Sequence, residues 1–337
     1  MSSKLRFSIV IANYNYERFV GQAIDSGLAL CWPDVEIIVV DDGSTDGSAA
    51  IIRSYGDRIT ARFMPNRGQL AANNAGFDLA TGDIVIFLDA DDLLEPEIAR
   101  EIAAVWRPGV SKAQVLMRRV DADNRPLGSV IPDLDRAPSP QQIVRWAAIG
   151  ADYPSPPGSG NAYARGYLQR IFPLPAAADR SLDSSDTACI AKAPYFGDVV
   201  TILKPLVRYR IHGANDSNPL ASSQFFGREC MRANTRLQFA REAAIARGFA
   251  PPDGAALFRN NHLLQLRVAS LKLQPARHPW PEDGLGRVVV DALAVPFRAG
   301  FQRIRTRILI MGWTLLTALS PAPLARRLIA YRFRTDR

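Results

Sequence analysis

Two groups of aspartates each come directly after an apolar segment of the chain. Asp41 and Asp42 follow VEIIVV, and Asp89-Ala90-Asp91 follows IVIFL. Two carboxylates separated by one small residue can hold a hard divalent cation, and such a cation can bind a diphosphate. These residues predict an enzyme that uses a metal ion to bind a nucleotide-activated substrate.

The apolar segments before the aspartates have the composition of buried parallel strands. Val35–Val40 and Ile84–Leu88 are short and rich in β-branched residues. Strands are also predicted at residues 6–12 and Ile59–Met64, with helices at Phe19–Leu30, from an N-cap at Ser44 or Thr45 to about Tyr55, at Gly68–Leu79 and from near Glu95-Pro96. This alternation favours an α/β fold with a mostly parallel sheet flanked by helices. Since ligands bind beyond the carboxyl ends of such strands, both aspartate groups should face one crevice.

A second Asp-Ala-Asp tripeptide occurs at Asp121-Ala122-Asp123. It follows a strand that contains Arg118 and Arg119 and has no run comparable to IVIFL, and Asn124 follows in a turn sequence. We therefore predict a hairpin of Ala113–Val120 and Asp121–Val130, with this tripeptide in its turn and not at the metal.

The remaining chain reads as loops and helices. Helices are predicted at Gln141–Ile149, Asp183–Ala193, Gln224–Arg247 and Ala255–Leu273, and strand-like segments at Val199–His212. We expect a catalytic domain over residues 1–218, a helical extension over 219–300 and a basic, apolar tail over 301–337.

Composition and charge exclude some classes of protein. The 337 residues are 47% hydrophobic and 22% charged, as in ordinary folded proteins. The net charge of +8 belongs largely to the tail, where residues 296–337 carry nine arginines and one acid. Without a zinc finger or basic–aromatic interleaving, this charge does not predict nucleic-acid binding. The three widely spaced cysteines and the absence of a secretory signal predict a cytoplasmic location.

The tail combines an uncharged segment with flanking arginines. Residues 308–325 carry no charge, and their continuous apolar part, ILIMGWTLLTAL, has twelve residues. A membrane span needs about 20 apolar residues, so we expect a segment that lies in the membrane interface, at the inner face of the cytoplasmic membrane. Burial against a partner subunit or the protein's own core is the alternative.

Six segments, taken in order, resemble the family 2 glycosyltransferases, which have the GT-A fold. They are SIVIANYNYERFVGQAIDS, VEIIVVDDGSTDGS, NRGQLAANNAGFDLATGDIVIFLDADD, SGNAYARGYL, SSDTACIAKAP and YRIHGAND, within about residues 5–216. The resemblance implies an inverting transferase that moves a sugar from a nucleotide sugar, with a UDP-sugar favoured, to a hydroxyl of a glycan or lipid-linked acceptor.

The resemblance also implies roles for particular residues. It makes Asp89 and Asp91 ligands of Mn²⁺ or Mg²⁺, with His212 as a further contact to the metal or diphosphate. The donor pocket would be formed by Ala12, Tyr14, Asp41, Asp42, Asn66, Gly68, Asn73, Asp89, Ala90 and Arg210. Of these, Asp42 would contact the nucleobase, and Ser159-Gly160-Asn161 would border the acceptor. Either Arg210 or Arg67 could contact phosphate.

Asp186 corresponds to the acid that accepts the proton of the acceptor hydroxyl in this family. Asp183 lies one helical turn earlier and is the alternative base. Two other functions stay open at this stage, a nucleotidyltransferase and a catalytically silent protein that binds sugar nucleotides or glycans. The first would normally carry a glycine-rich loop after its first strand, where this chain has Ala12-Asn13-Tyr14-Asn15.

Overall fold

The computed structural model of the chain describes residues 5–151, 153–176, 185–212, 224–298 and 300–333. The chain divides into two units, which are residues 1–141 with 155–212, and residues 142–154 with 213–337. The boundary expected near residue 218 lies outside the described residues.

Among the described residues, nine strands form one sheet in the first unit. They are β1 (Phe7–Asn13), β2 (Val35–Asp41), β3 (Thr60–Phe63), β4 (Ile84–Asp89), β5 (Leu93–Leu94), β6 (Val110–Val120), β7 (Pro126–Ile131), β8 (Asn161–Ala164) and β9 (Asp198–Arg210). The strand order is β3-β2-β1-β4-β8-β6-β9-β5, and β7 pairs with β6.

The helices follow the chain as α1 (Val20–Leu28), α2 (Ser48–Ser54), α3 (Gln69–Leu79), α4 (Ile98–Val105), α5 (Pro140–Ala148), α6 (Arg165–Leu168), α7 (Ser185–Phe196), α8 (Phe225–Ala246), α9 (Ala256–Arg259), α10 (Asn261–Leu273), α11 (Leu285–Ala294), α12 (Ile304–Leu319) and α13 (Ala322–Arg332). Together with the sheet they confirm the predicted α/β class.

The four predicted N-terminal strands are parallel, as expected. Strand β1 lies between β2 and β4, and β3 pairs with β2. In this register Ala12 is opposite Asp89 and Asn13 is opposite Asp41. Both aspartate groups therefore lie beside the carboxyl end of β1, one on each side.

The other half of the sheet is mixed. Strand β8 runs antiparallel between β4 and β6, whereas β9 is parallel to β6. The hairpin predicted around Asp121 is confirmed by the antiparallel pairing of β6 with β7. Strand β8 was expected to be loop. Its four residues are too short for a periodic signal, and it forms because β4 and β6 supply hydrogen-bond partners on both edges.

The prediction that Ser44 or Thr45 caps α2 is wrong. The helix begins at Ser48, and Gly47 is its N-cap residue, which has no side chain to form a cap hydrogen bond. The Ser44 hydroxyl instead donates to Asp41 Oδ1 at 2.6 Å. Asp46 accepts from the backbone N–H of Ser48 at 2.9 Å, so it satisfies a free N–H group at the helix start.

Helices pack on both faces of the parallel strands. Ile9 and Ile11 of β1 belong to a buried apolar cluster with Ala23 and Ile24 of α1. Successive strand residues point to opposite faces, so Val10 faces away from that cluster and meets α3 at Gly76. The sheet is thereby buried on both sides, as its apolar strands require.

A buried ion cluster joins the helices of the second unit. Arg267 of α10 is fully buried and donates to both carboxylate oxygens of Asp283, at 2.7 and 2.6 Å, and to Asp291 of α11 at 2.7 Å. His278 also contacts Asp283, at 3.1 Å. A buried guanidinium needs such complete pairing, because an unpaired charge there would be strongly destabilising.

The helix predicted over Ala255–Leu273 is divided into α9 and α10. Asn260 lies between them with extended backbone, and its side chain accepts the N–H of Leu263 at 2.8 Å as the cap of α10. The tail forms α12 and α13, separated at Ser320 and Pro321. Within the described part of the chain, no helix combines the length and the apolar character needed to cross a membrane.

Gly76 allows α3 to approach β1 closely. A Cβ at this position would lie 2.3 Å from Val10 Cγ1, and the β-branched valine has little rotamer freedom to move away. We expect Gly76→Ala to lower the free energy of unfolding by about 1–3 kcal/mol, although alanine is the better helix former. Urea denaturation would measure this.

The matched control is Gly166→Ala in α6, where no atom lies within 4 Å of the new Cβ. This variant should be as stable as the wild type or more so. Equal effects of the two substitutions would contradict the packing argument.

Candidate active site

Asp41 and Asp42 are buried at the end of β2 and hold the neighbouring loops. Asn13 donates from Nδ2 to Asp41 Oδ1 at 2.8 Å. Asp42 accepts the backbone N–H groups of Arg67 at 2.8 Å and Gly68 at 2.7 Å, one on each carboxylate oxygen. Each oxygen has a second lone pair, so this arrangement shapes a pocket wall and leaves acceptor capacity toward a ligand.

Two glycines allow this wall to form. Gly68 has φ +90, and Gly43 has φ +75 with its Cβ position only 2.7 Å from the backbone nitrogen of Asn66. Asn66 is exposed on the loop, and Tyr14 is 44% exposed beyond β1. Both predicted donor contacts therefore lie at the surface of this end of the sheet.

Asp89 lies at the end of β4 among polar side chains. Gln69 Nε2 donates to its Oδ1 at 3.0 Å, and Ser159 Oγ lies 3.4 Å from its Oδ2. Burial, followed by the negative charges of Asp91 and Asp186, raises the pKa of Asp89 to about 7. A positive charge placed beside this carboxyl group would therefore strongly favour its ionised form.

Asp91 is paired with the predicted histidine. His212 Nε2 lies 2.9 Å from Asp91 Oδ2. The imidazole packs against Phe19, with ring centroids 4.9 Å apart, and edge-on against Tyr16 at 5.9 Å. These contacts orient His212 toward the Asp-Ala-Asp turn, and its contact to a metal or diphosphate stays a prediction.

Asp92 is buried beneath that turn. The backbone N–H of Arg210 donates to its Oδ1 at 2.9 Å. Burial, and then the charges of Asp91 and Asp89, raise the pKa of Asp92 well above its usual range. Asp92 therefore connects the aspartate turn to the end of β9.

The Arg210 side chain points elsewhere. Its Nη2 donates to Gln22 Oε1 at 2.9 Å and to Asn124 Oδ1 at 2.8 Å, and its guanidinium lies 4.5 Å from the centroid of the Phe19 ring. Asn124 belongs to the turn of the β6–β7 hairpin, with φ 66. The second Asp-Ala-Asp segment thus serves a turn that holds Arg210. The phosphate contact expected of Arg210 stays a prediction.

Asp186 lies in the first turn of α7, which is tied to α3. Asn73 Nδ2 donates to Ser185 Oγ at 2.7 Å. A Cβ placed on Gly158 would lie 3.5 Å from Asp89 Oδ2 and 3.7 Å from Asp186 Cβ. The predicted base and the first predicted metal ligand therefore both lie close to one glycine. Asp183, the alternative base, lies outside the described residues.

A buried lysine supports the loop that contains this glycine. Lys112 of β6 is fully buried, and its Nζ donates to Ser155 Oγ at 2.8 Å and Asn161 Oδ1 at 2.9 Å. The Asn161 side chain donates in turn to the carbonyls of Pro156, Pro157 and Gly158. Burial lowers the pKa of Lys112 well below its usual range, while the nearby Asp186 charge acts in the opposite direction.

Comparison with known proteins decides the family. The model of "Glycosyl transferase family 2" matches residues 8–172. An uncharacterised glycosyltransferase of Nostoc sp. is 35% identical over 225 residues, which are 65% of this chain and 69% of that protein. The chain belongs to glycosyl transferase family 2.

Other relatives of this glycosyltransferase match shorter regions. An uncharacterised glycosyltransferase of Haemophilus influenzae is 42% identical over 91 residues, 26% of this chain and 36% of that protein. Membership of glycosyl transferase family 2 favours the glycosyltransferase prediction over the nucleotidyltransferase alternative.

Solved structures share the fold. Residues 1–349 of TarS from S. aureus, in complex with UDP-GlcNAc, have a TM-score of 0.55 at 17% identity, covering 96% of this chain and 92% of TarS 1–349. The mannosyltransferase PcManGT of Pyrobaculum calidifontis, in complex with GDP-Man and Mn²⁺, has a TM-score of 0.51 at 20% identity, covering 98% and 85%. These likenesses confirm the GT-A fold of the glycosyltransferase.

The carboxylates at the end of β4 fit a divalent cation that is also bound by a substrate. Among the described residues, no group of three or more His, Cys, Asp or Glu side chains is arranged to hold a metal by itself. Mg²⁺ is commonly held by one or two carboxylates together with substrate phosphates. Asp89 and Asp91 supply such carboxylates. Burial and then the neighbouring negative charges raise the pKa of Asp89, and a cation would offset those charges.

Most predicted site residues of the glycosyltransferase lie at one end of the sheet. Asp41 and Asp89 end two strands on either side of β1, and Ala12 is the last residue but one of β1. Ala90 is buried in the Asp-Ala-Asp turn, and Asn73 donates to Ser185. Sequence reasoning missed Lys112, Gln69 and Ser185. A lysine within the apolar strand VSKAQVLM was the available signal for Lys112.

The raised pKa of Asp89 predicts how the metal-free enzyme responds to pH. The folded state binds a proton that the unfolded state releases near the ordinary value of 3.8, so the free energy of unfolding should fall as pH rises toward about 7. Asp89→Asn removes this effect. Its stability relative to the wild type should rise by about 2 kcal/mol between pH 5 and about 8.

Thermal unfolding in EDTA across this pH range would measure the difference. Asp123→Asn, in the exposed hairpin turn, should follow the wild-type pH dependence. Parallel wild-type and Asp89→Asn curves would show that Asp89 has an ordinary pKa.

Proposed function

We propose that this protein is a metal-dependent, inverting glycosyltransferase that transfers a sugar from a nucleotide sugar to a hydroxyl group. The observation that carries the proposal is the convergence of Asp89, Asp91 and Asp186, whose charges act together at the end of β4. A protein that only binds sugar nucleotides would gain little from the third carboxylate.

Asp89 and Asp91 are the proposed ligands of Mn²⁺ or Mg²⁺. When bound, the cation would offset the negative charge that grows on the diphosphate as the sugar leaves. PcManGT, which shares the fold, was crystallised with GDP-Man and Mn²⁺. His212 holds Asp91 in position and is the proposed further contact to the metal or the diphosphate.

Asp186 is the proposed general base. Its carboxylate would accept the proton of the acceptor hydroxyl as the oxygen attacks the anomeric carbon from the side opposite the leaving group. A single displacement of this kind inverts the anomeric configuration. The hydrogen bond between Asn73 and Ser185 positions the helix turn that carries Asp186.

The nucleoside is proposed to bind at the wall formed by Asp41 and Asp42. Asp42 would accept a hydrogen bond from the nucleobase, with Ala12, Tyr14, Asn66 and Gly68 around it. TarS was crystallised with UDP and with UDP-GlcNAc, and PcManGT with GDP-Man. We favour a UDP-sugar as the donor.

The acceptor is proposed to approach beside Ser159-Gly160-Asn161. Its chemistry would be that of a glycan or a lipid-linked glycan met at the inner face of the cytoplasmic membrane, during assembly of a polysaccharide or glycolipid. A panel of nucleotide sugars with Mn²⁺, read as free nucleoside diphosphate, tests the reaction. Metal-dependent release from one donor supports the proposal. Absence of both release and UDP–Mn²⁺ binding would overturn it.

The two Asp-Ala-Asp segments offer a matched test of the metal site. We expect Asp89→Ala to weaken Mn²⁺-dependent UDP binding by about 100-fold, since a direct metal ligand is lost. Asp123→Ala should bind as the wild type does, because Asp123 pairs with Arg18 in an exposed turn. Titration calorimetry would measure both, and equal losses would contradict the choice of Asp89.

Asp186→Asn separates binding from transfer. The amide keeps the size of the side chain but cannot accept the proton, so transfer should fall by about 10²–10⁴-fold. UDP–Mn²⁺ affinity should stay within about twofold of wild type, as for Asp123→Asn. A variant with wild-type transfer would place the base elsewhere.

A further inference from the structure

Helix α12 buries polar side chains and exposes large apolar ones. Thr314 and Thr317 are fully buried, and among the described residues their hydroxyl groups have no hydrogen-bond partner. The opposite side exposes three leucines, Leu309 at 72%, Leu316 at 54% and Leu319 at 74%. These leucines are spaced seven and three residues apart and so share one helical face. A helix in water would normally place these residue types the other way round.

More large apolar side chains are exposed on α11 and directly after it. Val290 and Leu293 on α11 are exposed, and Phe297 after that helix is 89% exposed. Helices α11 and α12 contact each other in the same unit through a buried cluster that includes Val288, Ala292 and Ile310. Val290, Leu293, Phe297, Leu309, Leu316 and Leu319 are called the apolar ridge below. So many large exposed apolar side chains mark an interaction surface.

The exposed charge near the ridge is positive, because Asp291 on α11, the acid nearest to it in sequence, pairs with the buried Arg267. From Ala292 to Phe333 the sequence contains seven arginines and no aspartate or glutamate. Arg305, at the start of α12, and Arg326 and Arg327 on α13 are exposed. A partner must therefore present apolar groups together with negative charge.

We propose that the apolar ridge inserts into the surface of a bilayer that contains anionic phospholipids. Aliphatic and aromatic side chains would enter the boundary between headgroups and acyl chains, and the arginines would contact lipid phosphates. The absence of a membrane-crossing helix among the described residues agrees with contact at one face. This attachment is independent of the reaction at the carboxylates.

A second copy of the chain is a poorer occupant. A two-fold symmetric dimer places the same patch on both sides of the interface. Arginines that flank the ridge would then face arginines, with no acid between residues 292 and 333 to pair with them. A phospholipid surface supplies the missing negative charge.

Flotation of the full-length protein with phosphatidylcholine vesicles, with and without phosphatidylglycerol, tests this proposal. We expect binding to the vesicles with phosphatidylglycerol and its weakening by salt. The affinity of the double variant Leu309→Gln/Leu316→Gln for these vesicles should be at least about tenfold lower. At low salt, vesicle affinity should fall by about fivefold for each arginine removed in the triple variant Arg305→Gln/Arg326→Gln/Arg327→Gln.

Ile245→Gln is the matched control, because Ile245 is 64% exposed on α8 away from the ridge sequence. Its vesicle binding should equal that of the wild type. Wild-type protein that does not float, or a leucine double variant that floats as well as the control, would overturn the proposal. So would light scattering that shows a wild-type dimer converted to monomer by the double variant without vesicle binding.

Discussion

Repulsion among carboxylates is the constraint on which this active site depends. Asp89, Asp91, Asp92 and Asp186 lie close enough for their charges to act on one another, and two of them have a raised pKa. Such an arrangement persists only when the surrounding fold is rigid enough to hold it. The strands that end here are buried on both faces, so they supply that rigidity. A metal-bound substrate would then relieve a charge that the protein already carries.

Distant parts of the first unit converge to hold these groups. The turn of the β6–β7 hairpin holds the side chain of Arg210, while the Arg210 backbone holds Asp92. Helix α3 holds the start of α7 through Asn73. The glycosyltransferase therefore uses segments far apart in sequence to set the positions of the side chains that we propose for the chemistry, as preorganised sites require.

Much of this could be predicted from sequence because buried parallel strands have a strong local signal. The strands Val35–Asp41 and Ile84–Asp89 were recognisable from their β-branched runs. A parallel arrangement placed both aspartate groups at the carboxyl end of the sheet. Strand β8 has no comparable signal, since its pairing depends on β4 and β6. The partners of Lys112 could not be predicted for the same reason. They lie 43 and 49 residues away along the chain and meet it only in the folded protein.

The amine of Lys112 has a consequence for how this protein can vary. Its removal alone would leave the buried Asn161 oxygen with only the longer hydrogen bond from Ser155 Oγ, at 3.3 Å. Replacing the polar partners together with the lysine can instead be nearly neutral. Positions 112, 155 and 161 should therefore change together in descendants of this chain. Single exchanges would pass through an intermediate with a loosened loop beside Gly158, and neutral drift at these three positions would be slow.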